Sequence, residues 1–314
     1  MNNDFLKIGK MTEDEAREML EHIRWSNGII CPKCGSDKGA YKLESKPESK
    51  NKVRPGLYKC KTCRKNFTVT MGTIFEDSHI PLQKWLMATY LMNASKKGIS
   101  AHQLHRMLDI TYKAAWFMAH RIRFAMTEQP LGQLLGTIEA DETYIGGKEK
   151  NKHANKRTEN NRGRSDKTKT PVFALVERGG ELRAGKVQNV TGKTLKTIIR
   201  ENVTPDSRIV TDKFPAYNGL EKEFAGHEVV DHEAGEYVRG DAYTNTLEGW
   251  FSLLKRGVNG TFHHVSEQHL DRYVGEFAYR YNNRDLTDAE RANKTIKQIE
   301  GKRLVYKETI KKAD

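Results

Sequence analysis

All four cysteines of this 314-residue chain lie in two C-x-x-C pairs, Cys31 with Cys34 and Cys60 with Cys63. Each pair can bind one ion from a tight turn, and two such turns complete a tetrahedral shell of four thiolates for Zn²⁺. Four protein ligands leave no open coordination position, so such a zinc ion is structural. A redox-active C-x-x-C and two unrelated pairs are the alternatives. The pairs predict a zinc ribbon over residues 29–70.

The chain is strongly basic, with 54 Lys and Arg against 41 Asp and Glu and a formal net charge of +13. Such a surplus favours polyanionic partners, nucleic acid above all. No apolar run reaches the roughly 18 residues that a membrane span needs, and the first residues lack a signal-peptide pattern. We therefore expect a cytoplasmic, nucleoid-associated protein without a membrane partner. In that reducing compartment the cysteines need another explanation than disulfides.

Helical patterns surround the predicted ribbon. Thr12 and Glu15 have the spacing of a capping box and predict a short helix within the N-terminal segment 1–28. Residues 79–93 predict a second helix. Two further helices, 100–108 and 112–126, are joined by three residues and predict a helix-turn-helix within 78–130. On that interpretation, DNA contacts come from Lys113, Arg121 and Arg123. An ordinary pair of packed helices is the alternative.

From residue 136 the pattern changes to strands. Strands are predicted at 138–145, 171–177, 181–188, 207–212 and 227–231. Helices are predicted at 191–202 and 243–257, with a short helical turn at 214–220 and a long final helix at 266–281. The order βββαβαβα is that of a ribonuclease-H-like domain, a mixed five-stranded sheet with flanking helices, here over 134–290.

Two basic segments are predicted to lie outside this sheet. Residues 148–170 are almost free of apolar side chains, and we interpret them as an insertion that binds a phosphate backbone or as a solvated loop without a role. Residues 291–314 are predicted to form a basic C-terminal tail, frayed from Lys302 onward.

Three carboxylates, distant in the sequence, are predicted to meet in this domain. Asp141 lies in the first strand, Asp212 ends the fourth, and Glu248 follows the fifth on a helix. In a ribonuclease-H-like sheet the first and fourth strands are neighbours. Such a cluster is unfavourable unless cations neutralise it, and two Mg²⁺ or Mn²⁺ ions about 3.5–4 Å apart would do so.

Neighbouring polar residues leave alternatives to this assignment. Strand alternation puts Glu139 on the same face as Asp141 and turns Glu142 away. Glu139 is therefore a rival ligand, whereas Glu142 is expected to make a structural contact. Asn245 and Glu248 have the spacing of a capping box, which is a purely structural interpretation of Glu248. For His227 and His232, near the fifth strand, we favour ordinary packing over a phosphate contact.

The chain resembles DDE transposases of bacterial insertion sequences, in particular the group with an N-terminal zinc ribbon before a ribonuclease-H-like catalytic domain. The 35 residues between Asp212 and Glu248 match the spacing known from this type of enzyme. Together the matching residues cover most of 29–284. Besides the cysteine pairs, they are Asp141–Gly147, Thr211–Asp212, Thr244–Arg256, Gly260–Ser266 and Phe277–Arg284.

The resemblance implies a transposase that binds terminal inverted repeats, cuts at the element's ends and transfers the 3′-hydroxyl to target DNA. Asp141, Asp212 and Glu248 would hold the catalytic metal ions, and Lys255 with its neighbour Arg256 would contact end DNA. Asn245 is a rival or helper to Glu248, because parts of the group do not use an acidic third residue.

The expected partner is double-stranded DNA, bound by a homodimer or higher homo-oligomer. Tyr243 departs from the His that members of the group often carry at this position. A catalytically inactive zinc-ribbon regulator and a ribonuclease-H-like, structure-selective nuclease are the alternative functions.

Overall fold

The computed structural model describes residues 4–45, 48, 50, 52–147, 153, 155, 169–231, 240 and 242–310. The chain divides into two compact units. The first contains Met1–Ser95, Ile99–Met126 and Asp285–Lys312, and the second contains Lys96–Gly98, Thr127–Arg284 and Ala313–Asp314. No helix in the described part of the chain is both long and apolar enough to cross a membrane.

In chain order the elements are α1 (Asp4–Lys10), α2 (Glu13–Arg24), β1 (Ala40–Lys42), β2 (Tyr58–Cys60), β3 (Asn66–Phe67), α3 (Leu82–Ala94), α4 (Ala101–Leu108), α5 (Tyr112–Ala125), β4 (Thr137–Ile145), β5 (Thr170–Glu177), β6 (Leu182–Lys186), α6 (Gly192–Asn202), β7 (Arg208–Asp212), β8 (Gly226–Val230), α7 (Asn245–Arg256), α8 (Leu270–Asn282), α9 (Asp288–Lys297) and α10 (Tyr306–Ile310). A π-helical segment, Gly257–Phe262, follows α7 directly.

The ribbon is a three-stranded antiparallel sheet in the order β1-β2-β3, and α2 packs against it. Trp25, which ends α2, meets the rings of Tyr58 and Phe67 edge-on, with centroids 5.0 and 6.0 Å away. The Tyr58 hydroxyl donates a 2.7 Å hydrogen bond to Glu21. The predicted capping box of Thr12 and Glu15 is confirmed. The C-terminal end of α2 therefore packs against the core of the ribbon.

The centre of the first unit is α3, and the predicted helices on both sides of the three-residue turn are confirmed as α4 and α5. Most of α5 is buried, including Arg121 and Arg123, which are 4% and 2% exposed. Only its first turn, with Tyr112 and Lys113, is exposed. A recognition helix needs an accessible face, so α5 is mainly a core helix, and DNA can reach it only near its N-terminus.

Residues 288–310 complete this core, so the described part of the predicted C-terminal tail is folded. Helix α9 starts with a capping box of Thr287 and Glu290. It packs on α3, where the Thr295 hydroxyl donates to Asn93 Oδ1 at 3.2 Å. The apolar side chains of Ile296, Ile299 and Leu304 are buried. Periodicity alone missed this segment because its basic composition masks a few apolar contacts.

The second unit contains a five-stranded sheet in the order β6-β5-β4-β7-β8. Strands β6, β5 and β4 pair antiparallel, and β4, β7 and β8 pair parallel. The predicted mixed sheet is confirmed, with the first and fourth strands of the domain side by side. Helix α6 covers one face, and α7 and α8 cover the other.

Side chains of the sheet alternate between these two faces, as the pleat requires. Ile138 and Ala140 of β4 belong to the core under α6, whereas Ile145 belongs to the core under α7 and α8. Odd-numbered residues of β4 therefore face α7, and Glu139 and Asp141 are among them. This alternation sets which acidic side chains can meet the helix that carries Glu248.

Candidate active site and zinc site

The four cysteine sulfurs form one cluster, with all Sγ atoms within 4.8 Å of one another. The Sγ atoms of Cys31 and Cys63 are 3.8 Å apart, as are those of Cys34 and Cys60. These separations exclude disulfides, whose sulfurs lie about 2.05 Å apart. They fit a tetrahedral shell with Zn–S distances of about 2.3 Å, whose edge is about 3.8 Å.

The turn around Cys60 favours its thiolate form, whereas, against the backbone N–H of Ser36, burial and hydrogen bonds from the other three thiols raise the pKa of Cys34 to about 12. The backbone N–H of Cys63 points to Cys60 Sγ at 3.5 Å. This N–H lowers the pKa of Cys60 to about 6, with help from the N–H of Thr62. Thiolate is the form that binds metal, so the donor set, its spacing and the turn around Cys60 fit a structural zinc ion.

Asp141 lies within β4, beside Asp212, which is the last residue of the parallel strand β7. Strand β4 pairs with β7 in a register that joins Thr137 to Arg208 and Glu139 to Val210. The same register, carried two residues further, brings Asp141 next to Asp212. Polar groups at the carboxyl ends of parallel strands are a common place for active sites in α/β sheets.

The charge at this position is poorly compensated. Burial raises the pKa of Asp141 well above its usual value, and the carboxylates of Glu142, Asp212 and Glu248 raise it further. The backbone N–H of Glu142 donates to Asp141 Oδ1 at 2.8 Å and opposes this rise in pKa. Carboxylates gathered in this way favour bound cations.

A cleft of about 950 Å³ opens over these residues. Asp141, Asp212 and Glu248 all line it, together with Lys255 and Arg256 of α7. The π-helical segment adds Asn259 and Gly260, and Lys169 directly precedes β5. Sequence reasoning did not single out Asn259, whereas Gly260 lies in the matching segment Gly260–Ser266 and Lys169 in the predicted basic insertion. Asn245 is not among the described residues that line the cleft.

The three carboxylates surround this cleft without converging on a single point. Among the described residues, only the four thiols have metal-binding atoms that all lie within 4.8 Å of one another. Two ions about 3.5–4 Å apart need donors spread over more than one coordination sphere. Carboxylates are donors that Mg²⁺ and Mn²⁺ accept, so the donor chemistry fits such ions, although the three side chains do not form one compact cluster.

The start of α7 differs from the predicted capping box. The helix begins at Asn245, so the cap is Thr244, which makes no side-chain capping bond. Asn245 is thus the first helical residue and is exposed, and Glu248 lies beyond the position of a capping-box carboxylate. The structural interpretation of Glu248 is therefore wrong, and Glu248 instead lines the cleft.

Glu139, the rival ligand, is fully buried and is occupied by other partners. Its two carboxylate oxygens accept hydrogen bonds from Thr246, Leu247 and Arg178. Glu142 makes the expected structural contact, since its Oε2 accepts a 2.6 Å hydrogen bond from the hydroxyl of Tyr217. His227 lies 2.9 Å from the Thr211 hydroxyl and packs within the sheet. His232 is outside the described residues.

The predicted DNA-contacting residues separate into an exposed and a buried group. Lys113 is exposed, and its Nζ lies 4.6 Å from the centre of the Tyr306 ring. Lys255 and Arg256 are exposed beside the cleft. Arg121 instead donates to the carbonyl of Glu76 at 2.5 Å and stacks between aromatic rings. Burial lowers the pKa of Arg121 to about 10. Arg121 and Arg123 hold the core together and do not face solvent.

The basic insertion predicted at 148–170 lies almost entirely outside the described residues. Its last residue, Thr170, begins β5 and pairs with Ile145, so the insertion ends one residue earlier than predicted.

Comparison with known proteins identifies the family. A family model described as an ISXO2-like transposase domain matches residues 133–282, and one described as a transposase zinc-ribbon domain matches residues 11–66. A protein of the transposable element ISH50 of Halobacterium salinarum, itself described as uncharacterized, is 31% identical over 282 residues. That match covers 86% of this chain and 91% of the relative. The chain belongs to the ISXO2-like transposases.

Other similarities are partial. An uncharacterized transposase-like protein of Haemophilus influenzae is 31% identical over 100 residues. This match covers 32% of the present chain and 80% of that relative. The ribbon match starts at residue 11, in agreement with the packing of α2 on the ribbon.

Two solved structures show only a weak likeness. The simian T-cell lymphotropic virus intasome in complex with PP2A regulatory subunit B56 gamma has 15% identity and a TM-score of 0.27, over 56% of this chain and 67% of that one. A pre-cleavage Mos1 transpososome has 12% identity and a TM-score of 0.25, over 95% of both chains.

Proposed function

We propose that this transposase binds the terminal inverted repeats of its element, cuts DNA at the ends and transfers the 3′-hydroxyl to target DNA. The observation that carries the proposal is the half-buried Asp141 beside Asp212, at a cleft that Glu248 also lines. Carboxylates in this arrangement are the donors that metal-dependent phosphodiester chemistry uses.

Asp141, Asp212 and Glu248 are proposed to hold two Mg²⁺ or Mn²⁺ ions. When bound, such a pair activates the attacking oxygen and stabilises the leaving oxygen of an in-line displacement. The role of the chain is to set the positions of the three carboxylates from two strands and one helix. Asp141 is central, because the carboxylates of Glu142, Asp212 and Glu248 all lie near it.

Lys255 and Arg256 are proposed to bind the phosphates of the transposon end. Both are exposed on the last turn of α7 and line the same cleft as Glu248. From Glu248 to Lys255 the helix rises about 10 Å, at 1.5 Å per residue. A duplex bound along this face would therefore be held a few nucleotides from the carboxylates.

The first unit is proposed to bind DNA outside the cleft. Its zinc ion has a structural role. Of the three DNA contacts predicted on the second helix, only Lys113, at the exposed start of α5, is kept in this proposal. The basic residues of 148–170 would add sequence-independent phosphate contacts. We propose further that the enzyme acts at the nucleoid in the cytoplasm, as a homodimer or higher homo-oligomer on double-stranded DNA.

Incubation with a random duplex library and Mg²⁺, followed by sequencing of bound and cleaved ends, tests the proposal. Asp141→Asn, Asp212→Asn and Glu248→Gln should fold and bind DNA, but cleavage should fall at least about a thousandfold, because the ions supply several kcal/mol of transition-state stabilisation. Glu228→Gln is the matched control, since Glu228 pairs with Arg208 at 2.6 Å on β8 and does not line the cleft.

Other outcomes of this experiment identify the alternative functions. Specific binding without cleavage by the wild-type protein would indicate a regulator. Cleavage of branched but not linear substrates would indicate a structure-selective nuclease. Cleavage that survives all three substitutions would refute the proposed site.

Asn245 tests the choice of the third ligand. Because Asn245 is exposed and is not the helix cap, Asn245→Ala should leave the melting temperature nearly unchanged. We expect this variant to cleave DNA and Glu248→Gln to be inactive. An inactive Asn245→Ala beside an active Glu248→Gln would transfer the ligand role to Asn245.

A further inference from the structure

Glu139 is fully buried, with all of its carboxylate used inside the fold. Oε2 accepts hydrogen bonds from the backbone N–H of Thr246 at 3.0 Å and of Leu247 at 3.2 Å. Oε1 accepts from the Thr246 hydroxyl at 2.8 Å and from Arg178 Nε at 3.1 Å. A carboxylate offers about four acceptor positions, so these four donors saturate it.

Arg178 extends the contact to the residue that precedes the helix cap. Its Nη2 donates to the carbonyl of Tyr243 at 2.8 Å, and its guanidinium lies 3.7 Å from the centre of the Tyr243 ring. Arg178 also balances the charge of Glu139, which would otherwise be costly to bury. The pair therefore holds both the chain entering α7 and the first turn of the helix.

The first turn of a helix leaves up to four backbone N–H groups without intrahelical partners. In α7 the cap residue Thr244 makes no side-chain capping bond. Two of the N–H groups instead donate to Glu139 of β4. A carboxylate at this end also interacts favourably with the helix dipole. Glu139 of β4 thus caps α7, and these two hydrogen bonds join elements that are distant in the sequence.

We propose that Glu139, with Arg178, is a positioning residue that sets Glu248 relative to Asp141. Asp141 lies two residues beyond Glu139 on the same face of β4, and Glu248 directly follows Leu247 on α7. Because its acceptors are saturated within the fold, Glu139 holds the helix and does not bind the ions. This inference rests on the proposed function only where it concerns the ions at Asp141 and Glu248.

Amide hydrogen exchange in protein that keeps its zinc, without added Mg²⁺ or Mn²⁺, tests the anchor itself. Glu139→Gln should accelerate exchange in residues 243–251 at least about tenfold, since hydrogen bonds to a charged group contribute about 1.5–3 kcal/mol. Exchange elsewhere in the sheet should stay unchanged. Glu228→Gln makes the same chemical change on β8, away from α7, and should not affect this segment. Unchanged exchange at 243–251 in Glu139→Gln would overturn the anchor.

The affinity for Mn²⁺, measured by titration, tests the positioning role. Glu139→Gln should weaken Mn²⁺ affinity about 10–100-fold, as expected when an outer partner of a metal site is lost. A purely structural role would lower the melting temperature and leave the affinity of the folded protein unchanged, and that result would overturn the proposal. Complete loss of Mn²⁺ binding with normal exchange at 243–251 would make Glu139 a ligand.

Thr246→Ala provides a milder variant in case Glu139→Gln does not fold. It removes one of the four donors to Glu139 and should change exchange and Mn²⁺ affinity in the same direction, by a smaller factor. Both measurements are independent of cleavage. Wild-type protein that binds Mn²⁺ without cutting DNA would refute the proposed function, yet the Glu139 comparison would still decide this inference.

Discussion

Two carboxylates on the same face of one strand have opposite surroundings. Glu139 is met by four donors, one of them a guanidinium, whereas Asp141 is surrounded by Glu142, Asp212 and Glu248. Because these donors fill the acceptor positions of its carboxylate, Glu139 is a stable part of the fold. Acidic neighbours make Asp141 a group that favours bound cations. Two carboxylates only two residues apart therefore have different roles because their surroundings differ.

His227 provides a pH-dependent prediction at the residue scale. Burial lowers the pKa of His227, and Lys196 lowers it further, while Glu221 partly opposes the shift. The unfolded chain takes up this proton at about pH 6.5, above the pKa in the folded state. The stabilising contribution of neutral His227 is therefore complete above about pH 6.5 and is lost as the pH falls through the folded-state value.

We expect His227→Gln to flatten the loss of thermal stability between pH 7 and pH 5. Gln does not titrate and can still hydrogen-bond the Thr211 hydroxyl, which lies 2.9 Å from His227 Nε2. Melting temperatures of both proteins across this range measure the effect. Parallel pH profiles would show that His227 does not contribute to the pH dependence of folding.

At the scale of elements, the zinc ribbon and α2 behave as one piece. The thiols hold the two turns together, and Trp25 and Glu21 of the N-terminal region pack on Tyr58 of β2. The ribbon sheet has three strands of two or three residues, which is too little to fold without support. Metal binding therefore contributes directly to its folding.

Cys31→Ser and Cys60→Ser should each lose zinc and unfold residues 29–69, with α2 released as well. The sheet of the second unit should keep its structure, because its core contains none of these residues. Elemental analysis of freshly purified, reduced protein measures the metal, and limited proteolysis locates the unfolded segment. Wild-type protein without zinc would contradict the assignment.

At the scale of the whole molecule, the first unit is discontinuous in sequence. Residues after 285 return to it and bury Ile296, Ile299 and Leu304, while α9 packs against α3. Most of the second unit, Thr127–Arg284, lies in the sequence between the two parts of the first unit. The first unit can therefore be completed only after this segment has been synthesised.

A chain that ends at Arg284 should have a destabilised first unit. The loss should reach several kcal/mol, because burial of each Ile or Leu side chain contributes about 1.5–3 kcal/mol. Trp25, Trp85 and Trp116 belong to this unit, so their fluorescence reports its unfolding. A chain lacking only residues 311–314 is the control and should melt like the full protein. Equal transitions for both truncations would contradict this role.

The sequence alone determined the features that depend on local patterns. Two C-x-x-C pairs predicted the thiol cluster, because ligand spacing for zinc is a property of short segments. Alternating and helical periodicities predicted the strand order and the helices, and therefore which strands carry Asp141 and Asp212. Strand alternation also predicted that Glu139 shares a face with Asp141 and that Glu142 turns away.

Only the tertiary structure decided which side chains are covered and by what. Arg121 and Arg123 match the pattern of a basic recognition helix, yet the surrounding helices bury them. Glu139 changes from a rival ligand to the cap of α7 because Arg178, Thr246 and Leu247 reach it from distant parts of the chain. Burial and partners depend on contacts between segments far apart in sequence, which no local pattern encodes.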